Sequence, residues 1–123
     1  MRRWGKLEPA RQESGRKEKV QKMVRYINTH YMEDITLLKL SNQFYMSSTY
    51  LSRTFRKVMG MTYSKYLIRV RIRQDIHLLN HTKMRVTEIV QKTGFHSDNH
   101  FCKMFLQITG VLPLKYRISI REK

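Results

Sequence analysis

Wound at about 100° per residue, the segment STYLSRTFRKVM puts Thr49, Arg53 and Arg56 at the centre of one side, flanked by Ser52 and Lys57. Leu51, Phe55 and Val58 fall on the other side. Small hydroxyls followed by cations suit a polyanion with readable edges. An Arg fork can hold guanine O6 and N7 together, and a hydroxyl can bond either a base edge or a phosphate. Fifty residues further on the arrangement returns: Asn99 and Lys103 point out, with Cys102, Leu106 and Gln107 beside or between them, while Phe101, Phe105 and Ile108 point in. Asn suits adenine, and Lys suits guanine or phosphate. Leu106 stands in the place of Arg56 and Gln107 in that of Lys57, so the second face is less basic. The first is expected to carry more of any salt-dependent affinity.

The two faces belong to an internal repeat. With a shift of 50, residues 47–66 fall on 97–116 and keep Ser47/Ser97, Phe55/Phe105, Gly60/Gly110, Lys65/Lys115 and Tyr66/Tyr116. Upstream the shift is 49, pairing Leu37 with Val86, Leu40 with Ile89 and Met46 with Phe95, so the second copy has one extra residue between its two helices. Each copy reads as a short helix, a turn, and a second helix ended by Gly, which is the helix-turn-helix layout.

The remaining elements must hold these faces. Val20, Met23, Val24, Ile27 and Tyr31 recur at helical spacing. Thr36 can cap a short helix with Leu37, Leu40 and Phe44, and Ser47 or Ser48 can cap the next. Thr62 opens a longer helix with Ile68, Ile72, Ile76 and Leu79 in line. Pro113 suits the first turn of a last helix. No segment alternates with a period of two. The expected fold is all-α, about seven short helices. Residues 1–16 form a basic, disordered tail, 17–62 a first helix-turn-helix subdomain, 63–80 a linking helix and 81–123 a second helix-turn-helix subdomain. A linking rod of about 24 Å, at 1.5 Å per residue, could hold two reading helices about one DNA turn apart on one face of the duplex.

Composition narrows the function classes. Lys plus Arg number 25 against 9 acidic residues, a net charge of +16, on a chain that is 41% apolar. That is too much apolar content for a disordered polycation and favours a polyanion partner. No apolar run reaches the roughly 18 residues of a membrane span. The apolar stripes are narrow and match a shared core rather than a lipid face. The basic start, Met1-Arg2-Arg3, has no apolar stretch behind it. A single cysteine, Cys102, excludes an internal disulfide and any multi-Cys zinc site. His96, His100 and Cys102 lie close in sequence, and His77 and His81 are four apart, without the four-ligand spacing of structural zinc. No cofactor is expected. Phosphate loops, paired carboxylates and nucleophile motifs are missing, so an enzyme is not expected.

With these residues in view, the chain resembles the DNA-binding domain of the AraC/XylS family of bacterial transcription regulators. The first unit, ITLLKLSNQFYMSSTYLSRTFRKVMGMTYSKYLIRVRI, carries that family's pattern. The second, EIVQKTGFHSDNHFCKMFLQITGVLPLKYR, carries its signature region: Gly94-Phe95, the Phe101 to Phe105 spacing, and Gly110, Pro113 and Tyr116-Arg117. The resemblance covers about residues 18–120. It implies a homeodomain-like, seven-helix fold with two recognition helices in adjacent major grooves. It places base-reading positions on Ser48, Thr49, Ser52 and Arg53, and on Asp98, Asn99, His100, Cys102 and Lys103. It implies a sequence-specific regulator of transcription acting on double-stranded DNA, with activation as the expected mode. RNA polymerase is a further expected partner, and the bacterial cytoplasm, at the nucleoid, the expected place. A stand-alone protein would bind as a monomer and a piece of a longer regulator could dimerise, since no sensing domain fits ahead of Lys17. The alternative is a sequence-indifferent architectural binder whose affinity comes from counterion release.

Three positions depart from the family pattern. Tyr45 stands where the first turn commonly has Gly, so left-handed backbone there would be strained. Leu112 replaces the usual Thr ahead of Pro113 and loses a cap. Asp75 replaces a small residue inside the apolar stripe of the linking helix, where it is expected to pair with Arg71 four residues earlier.

Overall fold

Capping side chains and left-handed residues punctuate this chain into helices. In the computed structural model, which describes residues 2–121 and the side chains of 15–118, those helices are α1 (Arg2–His30), α2 (Leu37–Gln43), α3 (Ser48–Met59), α4 (Tyr63–His81), α5 (Val86–Thr93), α6 (Asp98–Thr109) and α7 (Pro113–Arg121). There is no strand among the described residues. Thr36, Ser47 and Ser97 each occupy an N-cap and accept from the backbone N–H three residues on. Gly60, Gly94 and Gly110 end α3, α5 and α6 in the left-handed conformation.

One expectation fails at the start. Helix α1 begins at Arg2, so the stretch expected as a disordered tail is helical. Ala10, Arg11, Gln12 and Glu13 are strong helix formers, and extending an existing helix needs no new nucleus. These terms outweigh the breakers Gly5, Pro9 and Gly15.

The chain divides into two units. The first holds α1 through Thr29, α2, α3 and the chain from Ile35 to Lys65. Val20, Met23 and Ile27 of α1 are buried, as are Leu40, Leu51 and Phe55, and α2 packs on α3. The second unit holds the His30–Asp34 loop and the chain from Tyr66 onward. Its core is Ile72, Leu79, Ile89, Val90, Phe95, Phe101 and Phe105. Aromatic rings run through it in sequence, Phe95 to Phe101 to Phe105 to Tyr116, with centroids 5.4, 5.6 and 5.6 Å apart. Ile108, expected inside, is exposed; it lies a further turn along α6, beyond the buried Phe101 and Phe105, and is not among the residues packed on this core.

Both helix-turn-helix turns use the same backbone device. Tyr45 (φ 53°) and Gly94 (φ 94°) are the left-handed residues. Behind each, a backbone N–H reaches back five residues, Met46 to Ser41 and Phe95 to Val90. The extra residue of the second copy is thus His96, whose imidazole lies 3.4 Å from the Asp34 carboxylate. Tyr45 takes the strained backbone that the sequence implies, and its ring is almost fully exposed.

Two arginines fasten loops of the second unit. Arg71 donates through Nε to the Tyr31 carbonyl and through Nη2 to the Glu33 carbonyl, each at 2.8 Å, and lies over the Phe95 ring at 5.8 Å. Burial lowers its pKa from the usual guanidinium value, and the charges of Asp34 and Asp75 oppose this. Arg117 reaches the carbonyls of Met84, Thr82 and Leu79 at 2.6, 3.3 and 3.4 Å.

Arg71 is therefore occupied with main-chain oxygens, and the expected Asp75–Arg71 ion pair does not form. Asp75 is fully buried and meets Thr93 instead. The Thr93 hydroxyl is within hydrogen-bond distance of both Asp75 Oδ1 and the Ile89 carbonyl, at 2.5 and 2.9 Å, and one proton cannot serve both. A protonated Asp75 resolves the conflict: its carboxyl donates to Thr93 Oγ1, and Thr93 donates to Ile89. Burial pushes the Asp75 carboxyl up to about 7, against the hydrogen bond that Thr93 donates to its ionised form and the Arg71 charge. Its Oδ2 has no partner.

Two outcomes are expected. Since the folded pKa of Asp75 is raised above 3.8 to about 7, its protonated form favours the folded state fully below about pH 4, and this contribution is lost as pH rises through 7. Asp75→Asn escapes that loss, on the order of a few kcal/mol. Thermal midpoints of the two proteins should coincide near pH 4 and separate in favour of the Asn variant by pH 8; parallel profiles would count against a buried neutral acid. The second concerns the turn. A Cβ on Gly94 would lie 2.8 Å from the Met32 carbonyl oxygen, whereas one on Gly110, at a similar φ, meets open space. Gly94→Ala should cost at least about 1 kcal/mol more than Gly110→Ala in chemical denaturation.

Candidate nucleic-acid interface

Each unit presents one helix whose inner side is anchored and whose outer side is free. On α3, Leu51 and Phe55 are fully buried while Thr49, Arg53, Arg56 and Lys57 are exposed. Ser48 and Ser52 are half-buried at the edge of this face, and Ser48 Oγ lies 3.5 Å from Ser41 Oγ of α2. On α6, Phe101 and Phe105 are buried while Asp98, Asn99, His100 and Lys103 are exposed. The His100 ring stands edge-on to Phe95, with centroids 5.7 Å apart. Cys102 is half-buried and packs against the second core, so it borders the face rather than projecting from it. Gln107 is exposed and Leu106 largely so, which leaves α6 with less cationic surface than α3.

The electrostatics follow from what is missing around these cations. Among the described residues, no carboxylate pairs with Arg53, Arg56, Lys57 or Lys103. Their charges stay uncompensated and available to an anion. Asp98 adds the one acidic group of the α6 face, in the first turn where the helix dipole tolerates it. A carboxylate there can accept from cytosine N4.

The structure also brings up residues that the sequence reading left aside. A shallow cleft beside α3 is lined by Arg16, Tyr50, Arg53, Thr54 and Lys57, and it continues past Gly15 and Lys19 on one side and Lys17 on the other. The Tyr50 phenol is held below its usual pKa by the Arg16 hydrogen bond first; burial opposes this, and Thr54 and Lys19 assist. Lys19 Nζ sits 5.9 Å from the centroid of the Tyr50 ring. The available signal was the spacing of Arg16 and Lys19, one turn apart on the polar side of α1.

Comparison with known proteins agrees with this architecture. A family model described as a helix-turn-helix domain matches residues 40–119. The regulatory protein PocR of Salmonella typhimurium is 33% identical over 104 residues, 85% of this chain and 34% of that protein. The HTH-type transcriptional activator RhaS of Salmonella arizonae is 32% identical over 87 residues, 71% of this chain and 31% of that protein. The chain spans about a third of the length of these curated relatives. Among solved structures, the DNA-binding domain of the global transcriptional factor AdpA, in complex with a target DNA, superposes with a TM-score of 0.80 at 27% identity, over 84% of this chain and 93% of that one. Helix order, the two turns and the family match together make this chain a member of the AraC-type helix-turn-helix family.

Proposed function

We propose that this chain is the DNA-reading part of a bacterial transcription regulator, placing α3 and α6 in adjacent major grooves of double-stranded DNA. The observation that carries this reading is the repeated build of α3 and α6. Each is anchored by a buried pair at the same spacing, Leu51/Phe55 and Phe101/Phe105, and each leaves hydrogen-bonding and cationic groups outside. Likeness to the AdpA domain, whose structure contains a target DNA, supports the partner.

In this reading Ser48, Thr49, Ser52 and Arg53 read base edges from the first unit. Arg56 and Lys57 hold phosphates beside them. Asp98, Asn99, His100 and Lys103 read from the second unit, with Cys102 at the margin as an apolar contact. Helix α4, 19 residues and about 28 Å long at 1.5 Å per residue, is the spacer. The proposed role is binding, without a catalytic step, in the bacterial cytoplasm at the nucleoid. Activation through RNA polymerase is the proposed mode, in keeping with the name of RhaS.

Selection from a random duplex pool tests the reading. It should yield a site preferred over random duplex by about 10³-fold or more at 150 mM salt. Equal binding to selected and random duplex would instead favour the architectural binder, whose affinity is counterion release alone. On the selected site, Arg53→Ala should cost about 1–3 kcal/mol and relax preference at one base position. Arg56→Ala should lower the slope of log K against log salt by about 1, whereas Leu106→Ala leaves it unchanged; equal slopes for the two variants would contradict the unequal division of charge between the helices.

A further inference from the structure

The cleft between α1 and α3 has a chemistry of its own. Along α3, Tyr50, Arg53 and Lys57 form one stripe at helical spacing, and Arg16 and Lys19 of α1 stand across from it. Like charges are gathered here with no carboxylate of the described residues paired to them. Gathering cations without compensation opposes folding, so an anion is the natural complement.

Tyr50 sharpens the case. Lys19 Nζ stands 5.9 Å from its ring centroid, Arg16 and Thr54 line the cleft beside it, and interaction with Arg16 above all holds the phenol below its usual pKa. These contacts leave the phenol's own proton free to donate to a bound anion. The result is a hydroxyl donor set between a guanidinium and an ammonium. That trio suits a tetrahedral anion bearing several acceptor oxygens. Because Arg53 and Lys57 line the same cleft and also belong to the outward face of α3, an anion bound there lies next to whatever α3 reads.

We propose that the cleft binds a backbone phosphate of the DNA strand bordering the groove entered by α3, with Arg16 and Lys19 supplying charge and Tyr50 a hydroxyl donor. This rests on the DNA-reading role proposed above and extends it to α1, which becomes a second, sequence-blind grip on the duplex. Phosphate contacts of this kind set register and add affinity equally for every sequence.

The test uses the full chain, the selected duplex and a random duplex of equal length. Arg16→Ala, Lys19→Ala and Tyr50→Phe should each weaken binding to both duplexes by the same factor. The two charge removals should each lower the salt slope by about 0.9, and Tyr50→Phe should leave the slope unchanged. A scan of the selected duplex with uncharged methylphosphonates should find one or two linkages at which the wild type loses affinity and Arg16→Ala loses nothing further. A thermal midpoint near that of wild type confirms that each variant is folded, and Arg16→Lys should retain the salt slope. Should Arg16→Ala keep wild-type affinity and slope while Arg53→Ala still relaxes base preference, the phosphate site is overturned and the DNA-reading role stands. If Arg53→Ala also has no effect on preference, both fall together.

Discussion

A guanidinium taken out of water must have its N–H groups met by acceptors, and this chain meets two of them with main-chain carbonyls. Arg71 holds the carbonyls of Tyr31 and Glu33, and Arg117 holds those of Leu79, Thr82 and Met84. The acceptors on both sides lie at helix ends or in the loops that follow, where carbonyls lack intrahelical partners. Two needs are thus satisfied at once: the arginine is solvated by backbone and the backbone by arginine. A lysine could not do this, because its compact ammonium lacks the planar fork that spans neighbouring oxygens. The clamps fix the His30–Asp34 loop and the α4–α5 connection, the framework against which α5 and α6 are set in the second unit.

That division of labour explains where the molecule places its charge. Buried cations are spent on structure, and each is surrounded by oxygens. Among the described residues, the cations of α3 and α6 have no paired carboxylate, so each of these faces keeps a positive local field. The field is uneven. Arg53, Arg56 and Lys57 crowd α3, with Arg16 and Lys19 across the cleft, whereas α6 keeps Lys103 beside an acid, an amide and an imidazole. The first unit thus carries the more basic face and the second the more mixed one.

Much of this was legible in the residues. Thr36, Ser47, Gly60 and Gly110 mark helix ends by local chemistry, and local chemistry is what a sequence carries directly. The inward positions Leu51, Phe55, Phe101 and Phe105 followed from periodicity alone. What escaped depended on choices between partners distant in sequence. Arg71 could reach Asp75 four residues away, but backbone oxygens some forty residues away won it, and Asp75 turned to Thr93. The exposure of Ile108 depends on where the core ends along α6, which periodicity does not tell. At the start of α1, glycine and proline oppose a run of good helix formers, a contest that propensity alone does not decide. The cleft at Arg16 depends on that same stretch being helical.

His96 lengthens the second turn by one residue, yet the buried residues of α6 keep the spacing of those on α3. The extra residue is absorbed between the left-handed Gly94 and the Ser97 cap, before the helix begins. Loop length and angular register are therefore uncoupled. Outward side chains of α3 could be transplanted onto α6 position by position at an offset of fifty, without trimming the loop, to create a protein with two copies of one outward face.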